Sequence, residues 1–260
     1  MDIIVCIKQV PDTTEVKINP ETNTLIREGV PSIINPFDEN AIEEALRLRE
    51  KHGGKVTVIT MGPPQAKEAL KQAIAMGADD VALVSDKAFA GSDTWATSYT
   101  LAQTIKKIGR FDIIFCGKQA IDGDTAQVGP GIAEWLNIPQ ITFAVKVELQ
   151  GDKIKVEHLL EEANEVVEVP LPCMLTVVKQ INEPRVSSLK GMMKAKKTEI
   201  KTFSAADVDA DPLKTGHNGS PTRVVKIFTP PPKGGGEMLC GSTEEMVSSL
   251  ISRLKERKTI

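Results

Sequence analysis

The chain has 260 residues, 41% of them hydrophobic and 26% charged, the balance of a folding globular protein with enough length for one large α/β domain or an ordinary domain with an extended arm. With 32 basic and 35 acidic side chains and a formal net charge of −3, it lacks the basic field that draws proteins to nucleic acid. No run of about 18 apolar residues occurs and no leader pattern precedes the first strand-like run, so a cytoplasmic protein without membrane or nucleic-acid partners is expected.

Residues 2–10 (DIIVCIKQV) form an apolar, β-branched run that predicts a first strand buried on both faces. Residues 11–35 carry Pro11, Asn19-Pro20, Gly29 and Pro31 and read as a loop or peripheral hairpin. From Asp38, a plausible N-cap, Ala41, Ile42, Ala45, Leu46 and Leu48 follow helical spacing until Gly53-Gly54. Strands over 55–60, 80–84 and 112–116 then alternate with helices over 65–76, 93–108 and 126–136, the pattern of a mostly parallel sheet covered on both sides. After Ile141, alternating runs at 143–150, 153–158 and 165–169 suggest an antiparallel meander, followed by a last buried strand over 173–178. Beyond about Ala195 the chain is Lys-rich, then Pro- and Gly-rich, and a helix is expected over 243–257. The expected division is therefore an α/β domain over 1–194 and an extended arm over 195–260.

Cys6, Cys116, Cys173 and Cys240 form no CxxC pair and read as core thiols, while His52, His158 and His217 show no triad spacing. Neither a metal site nor a hydrolytic triad is expected from these spacings. The strongest local signal is Gly117-Lys118-Gln119-Ala120-Ile121-Asp122-Gly123-Asp124-Thr125-Ala126-Gln127-Val128, which follows a buried strand and precedes a helix. Loops at that edge of a parallel sheet hold phosphates on backbone N–H groups and a helix N-terminus. The segment is neither a GxxxxGK[ST] nor a GxGxxG loop, and its glycines would equally serve tight turns. Asn35-Pro36-Phe37-Asp38, before a helix, suits either an adenosine or an ordinary cap, and Met61-Gly62-Pro63-Pro64 suits a rigid turn.

In this order on a βα framework, VCIKQVPD (5–12), NPFDENAIEEALRLREK (35–51), AMGAD (75–79), GKQAIDGDTAQVG (117–129) and NEPRVSSLKGMMKAKK (182–197) resemble the beta subunit of electron transfer flavoproteins. His158 stands where that family usually carries Lys or Arg. The resemblance implies a doubly wound, adenine nucleotide alpha hydrolase-like sheet, and a heterodimer with an alpha subunit that carries its own FAD and supports the C-terminal arm. It implies a second nucleotide here: structural AMP, or FAD that takes hydride from NADH and bifurcates electrons to ferredoxin or flavodoxin and to the alpha-subunit FAD. By the same resemblance the nucleotide should lie against Cys6, Asn35 to Asp38, Met61 and Gly117 to Val128, its pyrophosphate on the backbone of Asp122 to Val128. Gly123, where AMP-binding members tend to carry a carboxylate, favours FAD. Residues 183–193 resemble the segment that docks acyl-CoA dehydrogenases, with Leu189 as apolar anchor and Arg185 and Lys190 on a polar rim. A stress-protein-like ATPase would share the layout but should show a phosphate loop that is missing here.

Overall fold

The computed structural model describes residues 1–12, 31–225 and 234–260. It divides into two compact units, Met1–Val225 and Lys226–Ile260. In chain order the elements are β1 Asp2–Ile7, β2 Gln9–Pro11, β3 Ser32–Ile34, α1 Pro36–His52, β4 Lys55–Met61, α2 Lys67–Met76, β5 Asp80–Val84, α3 Thr94–Ile108, β6 Ile113–Gly117 and α4 Val128–Leu136. There follow β7 Gln140–Gln150, β8 Lys153–Leu159, β9 Asn164–Pro170, β10 Cys173–Val177, α5 Leu189–Lys197, β11 Lys201–Phe203, α6 Gly216–Gly219 and α7 Thr243–Glu256.

A nine-stranded sheet in the order β11-β5-β4-β1-β6-β10-β7-β8-β9 organises the first unit. Every pair from β11 to β7 is parallel, and the β7–β8 and β8–β9 pairs are antiparallel. The expected α/β sheet with an added meander is thus observed. Its chemistry is plain in β1, where Ile3, Val5 and Ile7 enter one core and Ile4 and Cys6 the other. The same alternation in β6 sends Ile113 and Phe115 to the first core and Ile114 and Cys116 to the second. A continuous apolar run is what a strand needs when helices cover both faces. The first core is closed by α1 and α2 through Ile42, Leu46, Leu70 and Ile74, and the second by α3 and α4 through Leu101, Ile105 and Ile132. Fully burying Phe115 alone contributes about 2–3 kcal/mol.

Several boundaries differ from the sequence expectation for identifiable reasons. The run over 2–10 breaks at Lys8, whose N–H donates to the Asp38 carboxylate at 2.7 Å and not to a strand neighbour. Asp38 is therefore not the cap of α1. The helix starts at Pro36 after Asn35, with proline where its missing N–H costs nothing. Helix α4 starts at Val128, two residues late, because Asp124 and Ala126 hold left-handed φ values of 49° and 54°. Where a loop or peripheral hairpin is expected, β2 pairs antiparallel with β3. Residues 13–30 of that expected loop or hairpin lie outside the described residues.

The first unit continues past residue 194, where composition changes. Helix α5 is followed by β11, which adds to the sheet edge beside β5. Residues 204–225 then fold over α3, with the Asp211 N–H donating to Tyr99 Oη at 3.0 Å and Thr222 donating twice to Asp93 Oδ2. In the second unit, α7 is opened by a reciprocal cap between Ser242 and Glu245 and buries none of its side chains. Among the described residues no helix is long and apolar enough to cross a membrane. Cys6, Cys116 and Cys173 are core thiols as expected, whereas Cys240 is exposed.

Candidate functional site

Strand order locates the site. From β1 the chain steps outward through β4 and β5, then returns to place β6 on the other side of β1. The loops leaving β1 and β6 therefore part in opposite directions, and such a switch point opens a crevice at the carboxyl ends of the strands. Cys6 and Cys116 face each other there in register, and the loops bearing the candidate residues begin immediately after them.

Asp38, only 6% exposed, holds the crevice together. Its Oδ2 accepts the Lys8 N–H at 2.7 Å, just beyond β1, and its Oδ1 accepts the Gly117 N–H at 3.1 Å, at the end of β6. A single carboxylate on α1 thus joins the two diverging loops. Gly117 must be glycine, because a Cβ there would sit 2.3 Å from Asp38 Oδ1 and 2.7 Å from Phe37 Cβ. Burial pushes the Asp38 carboxyl up to about 7, against the pull of the two amides, the Asn35 side chain and the Lys8 charge. The Cys116 thiol is also raised, by its hydrogen bond to Cys6 first and by burial second.

Asn35 shapes the loop after β6. It is fully buried, its Nδ2 donates to the Gln119 carbonyl at 2.8 Å, and its Oδ1 accepts the Ile121 N–H at 3.1 Å. The loop is braced further by Lys118 N–H on the Val177 carbonyl at 2.8 Å, Gln119 Nε2 on Asp124 at 2.6 Å and Thr94 Oγ1 on Gln127 at 2.9 Å. Lys8 Nζ reaches Asp122 Oδ1 at 2.6 Å across the mouth. Ala126 in the left-handed region precedes Gln127 at φ −105°, ψ −23°, an alternation that turns successive N–H groups to one side and suits an anion. Immediately afterwards α4 begins with no side chain capping its first amides. Gly123 is not in the left-handed region, and a Cβ there would meet nothing within 4 Å, so no turn requires this glycine.

On the β4 side, Met61 lines a shallow cleft with Lys8, Val10, Gly62, Pro63 and Gln65. Pro36 and Phe37 open α1 beside the same crevice, with Lys179 Nζ 5.4 Å from the Phe37 ring centre. The crevice therefore gathers Cys6, residues 35–38 and 117–128, with Met61 at its flank. Lys8, Thr94 and Lys179 join them without having been singled out in the sequence. Lys8 lies inside the 5–12 segment, but only folding shows that its ammonium turns toward Asp122. Arg185, Leu189 and Lys190 lie elsewhere, on and before α5. Leu189 is 78% exposed as its first residue, so this segment is a helix and not only a loop.

Because the folded value of Asp38 lies above its unfolded one, the folded chain holds the proton more tightly. That contribution is fully present below about pH 4 and is lost as pH rises through about 7. Asp38→Asn removes this titration and sets an NH₂ group against one of the two amide donors, at a cost of about 1–3 kcal/mol. In urea unfolding, the stability of the native protein relative to Asp38→Asn should fall by up to about 1.4 kcal/mol per pH unit between about pH 4 and 7. A difference that stays constant with pH would show that Asp38 does not titrate there.

Comparison with known proteins assigns the family. Residues 22–208 match the model of the electron transfer flavoprotein domain. The chain is 56% identical over 261 residues, covering all of both chains, to the electron transfer flavoprotein subunit beta of Thermoanaerobacterium thermosaccharolyticum. It is 52% identical over 262 residues, again covering both fully, to the caffeyl-CoA reductase-Etf complex subunit CarD of Acetobacterium woodii. To protein FixA of Azorhizobium caulinodans it is 48% identical over 238 residues, 88% of this chain and 85% of the other. A switch-point crevice on this sheet, matched end to end by named beta subunits, means that the chain belongs to the electron transfer flavoprotein family, as a beta subunit that works with an alpha subunit in electron transfer.

Proposed function

We propose that this subunit binds FAD in the crevice between β1 and β6. When bound there, the flavin supplies hydride acceptance from NADH and bifurcation of the electrons, one to ferredoxin or flavodoxin and one to the alpha-subunit FAD that serves an acyl-CoA dehydrogenase. The observation that carries the reading is the loop over 117–128, where left-handed Ala126, the Gln127 turn and the uncapped start of α4 offer amides to a pyrophosphate.

The chain's own residues bind and orient. Backbone from Asp122 to Val128 takes the pyrophosphate, while Asn35 acts through the loop it holds, since its amide is committed to Gln119 and Ile121. Backbone at Cys6 and Met61, at the ends of β1 and β4, faces the adenosine. Lys8, with 46% of its side chain exposed, gains little from its surface pairing with Asp122, so a phosphate can recruit it at small cost. No side chain is required as general acid or base, because hydride transfer is the flavin's chemistry.

Two surfaces suit protein partners. Leu189 projects from the start of α5 with Lys190 exposed beside it, which supports docking of an acyl-CoA dehydrogenase. The name of the Acetobacterium relative places that protein in a complex with a reductase of a CoA thioester, in keeping with such a partner. Helix α7 carries Val247, Leu250, Ile251 and Leu254 at helical spacing, an apolar stripe that supports packing on the alpha subunit.

Acid extraction of the purified heterodimer should release two FAD and no AMP; one FAD with one AMP would leave this subunit a structural and docking partner only. Leu189→Ala should raise the KM for the dehydrogenase roughly 10- to 30-fold with nucleotide content intact, and an unchanged KM would remove the docking assignment. Leu250→Asp should weaken alpha–beta association at least about tenfold in sedimentation velocity, whereas full assembly of that variant would separate α7 from the interface.

A further inference from the structure

The sequence places Arg185 on the polar rim of the docking segment, but its guanidinium is turned inward onto α1. Its Nε donates to Glu43 Oε2 at 2.7 Å, its terminal nitrogen to Glu43 Oε1 at 3.0 Å, and its backbone N–H again to Glu43 Oε2 at 3.1 Å. Both terminal nitrogens also reach the Glu50 carboxylate. Glu43 is only 6% exposed, so it cannot touch an approaching protein. Just before Arg185, Asn182 and Asn40 exchange amide bonds: Asn40 Nδ2 donates to the Asn182 carbonyl at 2.9 Å, and Asn182 Nδ2 donates to the Asn40 carbonyl at 3.1 Å. Asn182 Nδ2 also donates to Glu44 at 3.0 Å.

One helix thus carries both functions of the subunit. Its first residues, Asn35 to Asp38, shape the crevice, and Asn40, Glu43, Glu44 and Glu50 hold the segment before α5. A second anchor fixes α5 to the end of α2. The Ser188 N–H donates to the Ala75 carbonyl at 3.3 Å, and Lys194 Nζ donates to the Ala78 carbonyl at 3.0 Å. Gly191 makes this approach possible, since a Cβ there would fall 2.2 Å from the Ala75 oxygen. With its inner side held at both points, α5 leaves Leu189 and Met193 outward, 78% and 63% exposed.

We propose that Arg185 is a positioning residue for partner docking: with Glu43 and Glu50 it clamps residues 182–188 to α1, presenting Leu189 in a set pose before the partner arrives. The proposal rests on the docking role of Leu189 stated above. Its physical basis is preorganisation, because a segment already ordered in the free protein need not be ordered on binding. Removing Arg185 leaves buried Glu43 uncompensated, and removing the Glu43 charge weakens three of the bonds that hold the segment while Glu50 keeps two.

The test uses the assembled alpha–beta complex and an acyl-CoA dehydrogenase as electron acceptor, with Arg185→Met, Glu43→Gln and the double variant. Each single change should raise the KM for the dehydrogenase about tenfold, and the double variant should be no worse, because both break one unit. The kcat should stay within about twofold, nucleotide content should not change, and amide exchange should quicken over residues 182–188. Arg185→Lys, which keeps the charge but loses the fork, should recover part of the loss. A raised KM in Arg185→Met with none in Glu43→Gln or in a Glu43→Gln/Glu50→Gln pair would mean that Arg185 meets the partner itself, overturning the clamp. Unchanged KM in all three variants, with Leu189→Ala still impaired, would overturn the clamp and leave the docking surface standing. If Leu189→Ala is unimpaired as well, the docking reading falls first. Loss of nucleotide or of kcat alongside KM would assign the network to the fold at large and equally overturn the proposal.

Discussion

The carboxylate of Asp38 is the contact on which the crevice at the carboxyl ends of β1 and β6 depends. Strands β1 and β6 are neighbours in the sheet, yet their following loops diverge, so the N–H groups at their ends lack strand partners. Asp38 accepts one from each, Lys8 and Gly117, and in doing so fixes the start of α1 over the gap. Hydrogen bonds to a charged acceptor contribute roughly 1.5–3 kcal/mol each, whereas a buried donor left unmade costs about as much. Burial opposes the charge and raises the carboxyl to about 7, so the tie is held against a desolvation penalty. Gly117 follows as a steric consequence, because any side chain would occupy the place of the carboxylate.

From that tie the rest of the crevice can be traced outward. Asn35, one turn before Asp38, holds the Gln119 and Ile121 backbone and so sets the course of the loop that ends in Ala126 and Gln127. A left-handed alanine is strained, and it persists only where surrounding bonds dictate the backbone. Here the bracing comes from Asn35, from the Gln119–Asp124 bond and from Thr94 on α3. The result is an uncapped helix start, preceded by left-handed Ala126, at the mouth of a switch-point crevice.

Helix α1 links the crevice to the segment before α5. Its apolar side, with Ile42, Ala45 and Leu46, is sunk in the first core, which makes the helix a rigid member. Its polar side is occupied at one end by the crevice and farther along by Asn182 and Arg185. Buried Glu43 and Glu44 are tolerated there because each has a partner from the segment before α5. The β7–β9 meander closes the other end of the sheet, and its first strand reaches the crevice loop through Phe143, whose ring centre lies 5.2 Å from Lys118 Nζ.

The amino-acid sequence determined the alternation of strands and helices, because patterns such as DIIVCI and DIIFC can be buried only on both faces of a covered sheet. It also carried the family through five ordered segments, and with the family the loop over 117–128. What it did not show is which polar groups meet across 80 or so residues of chain. Asp38 looks like a cap because a local cap is the only partner that a linear reading can offer it. Arg185 looks like a rim charge because Glu43 and Glu50 lie 142 and 135 positions away. Lys8 reads as part of a strand until the amide it would donate is claimed by Asp38. Local periodicity reports which face of an element is apolar, and that is enough to set the sheet. Hydrogen-bond partners are assigned by where the packed elements bring their ends together, and only the tertiary structure decides that.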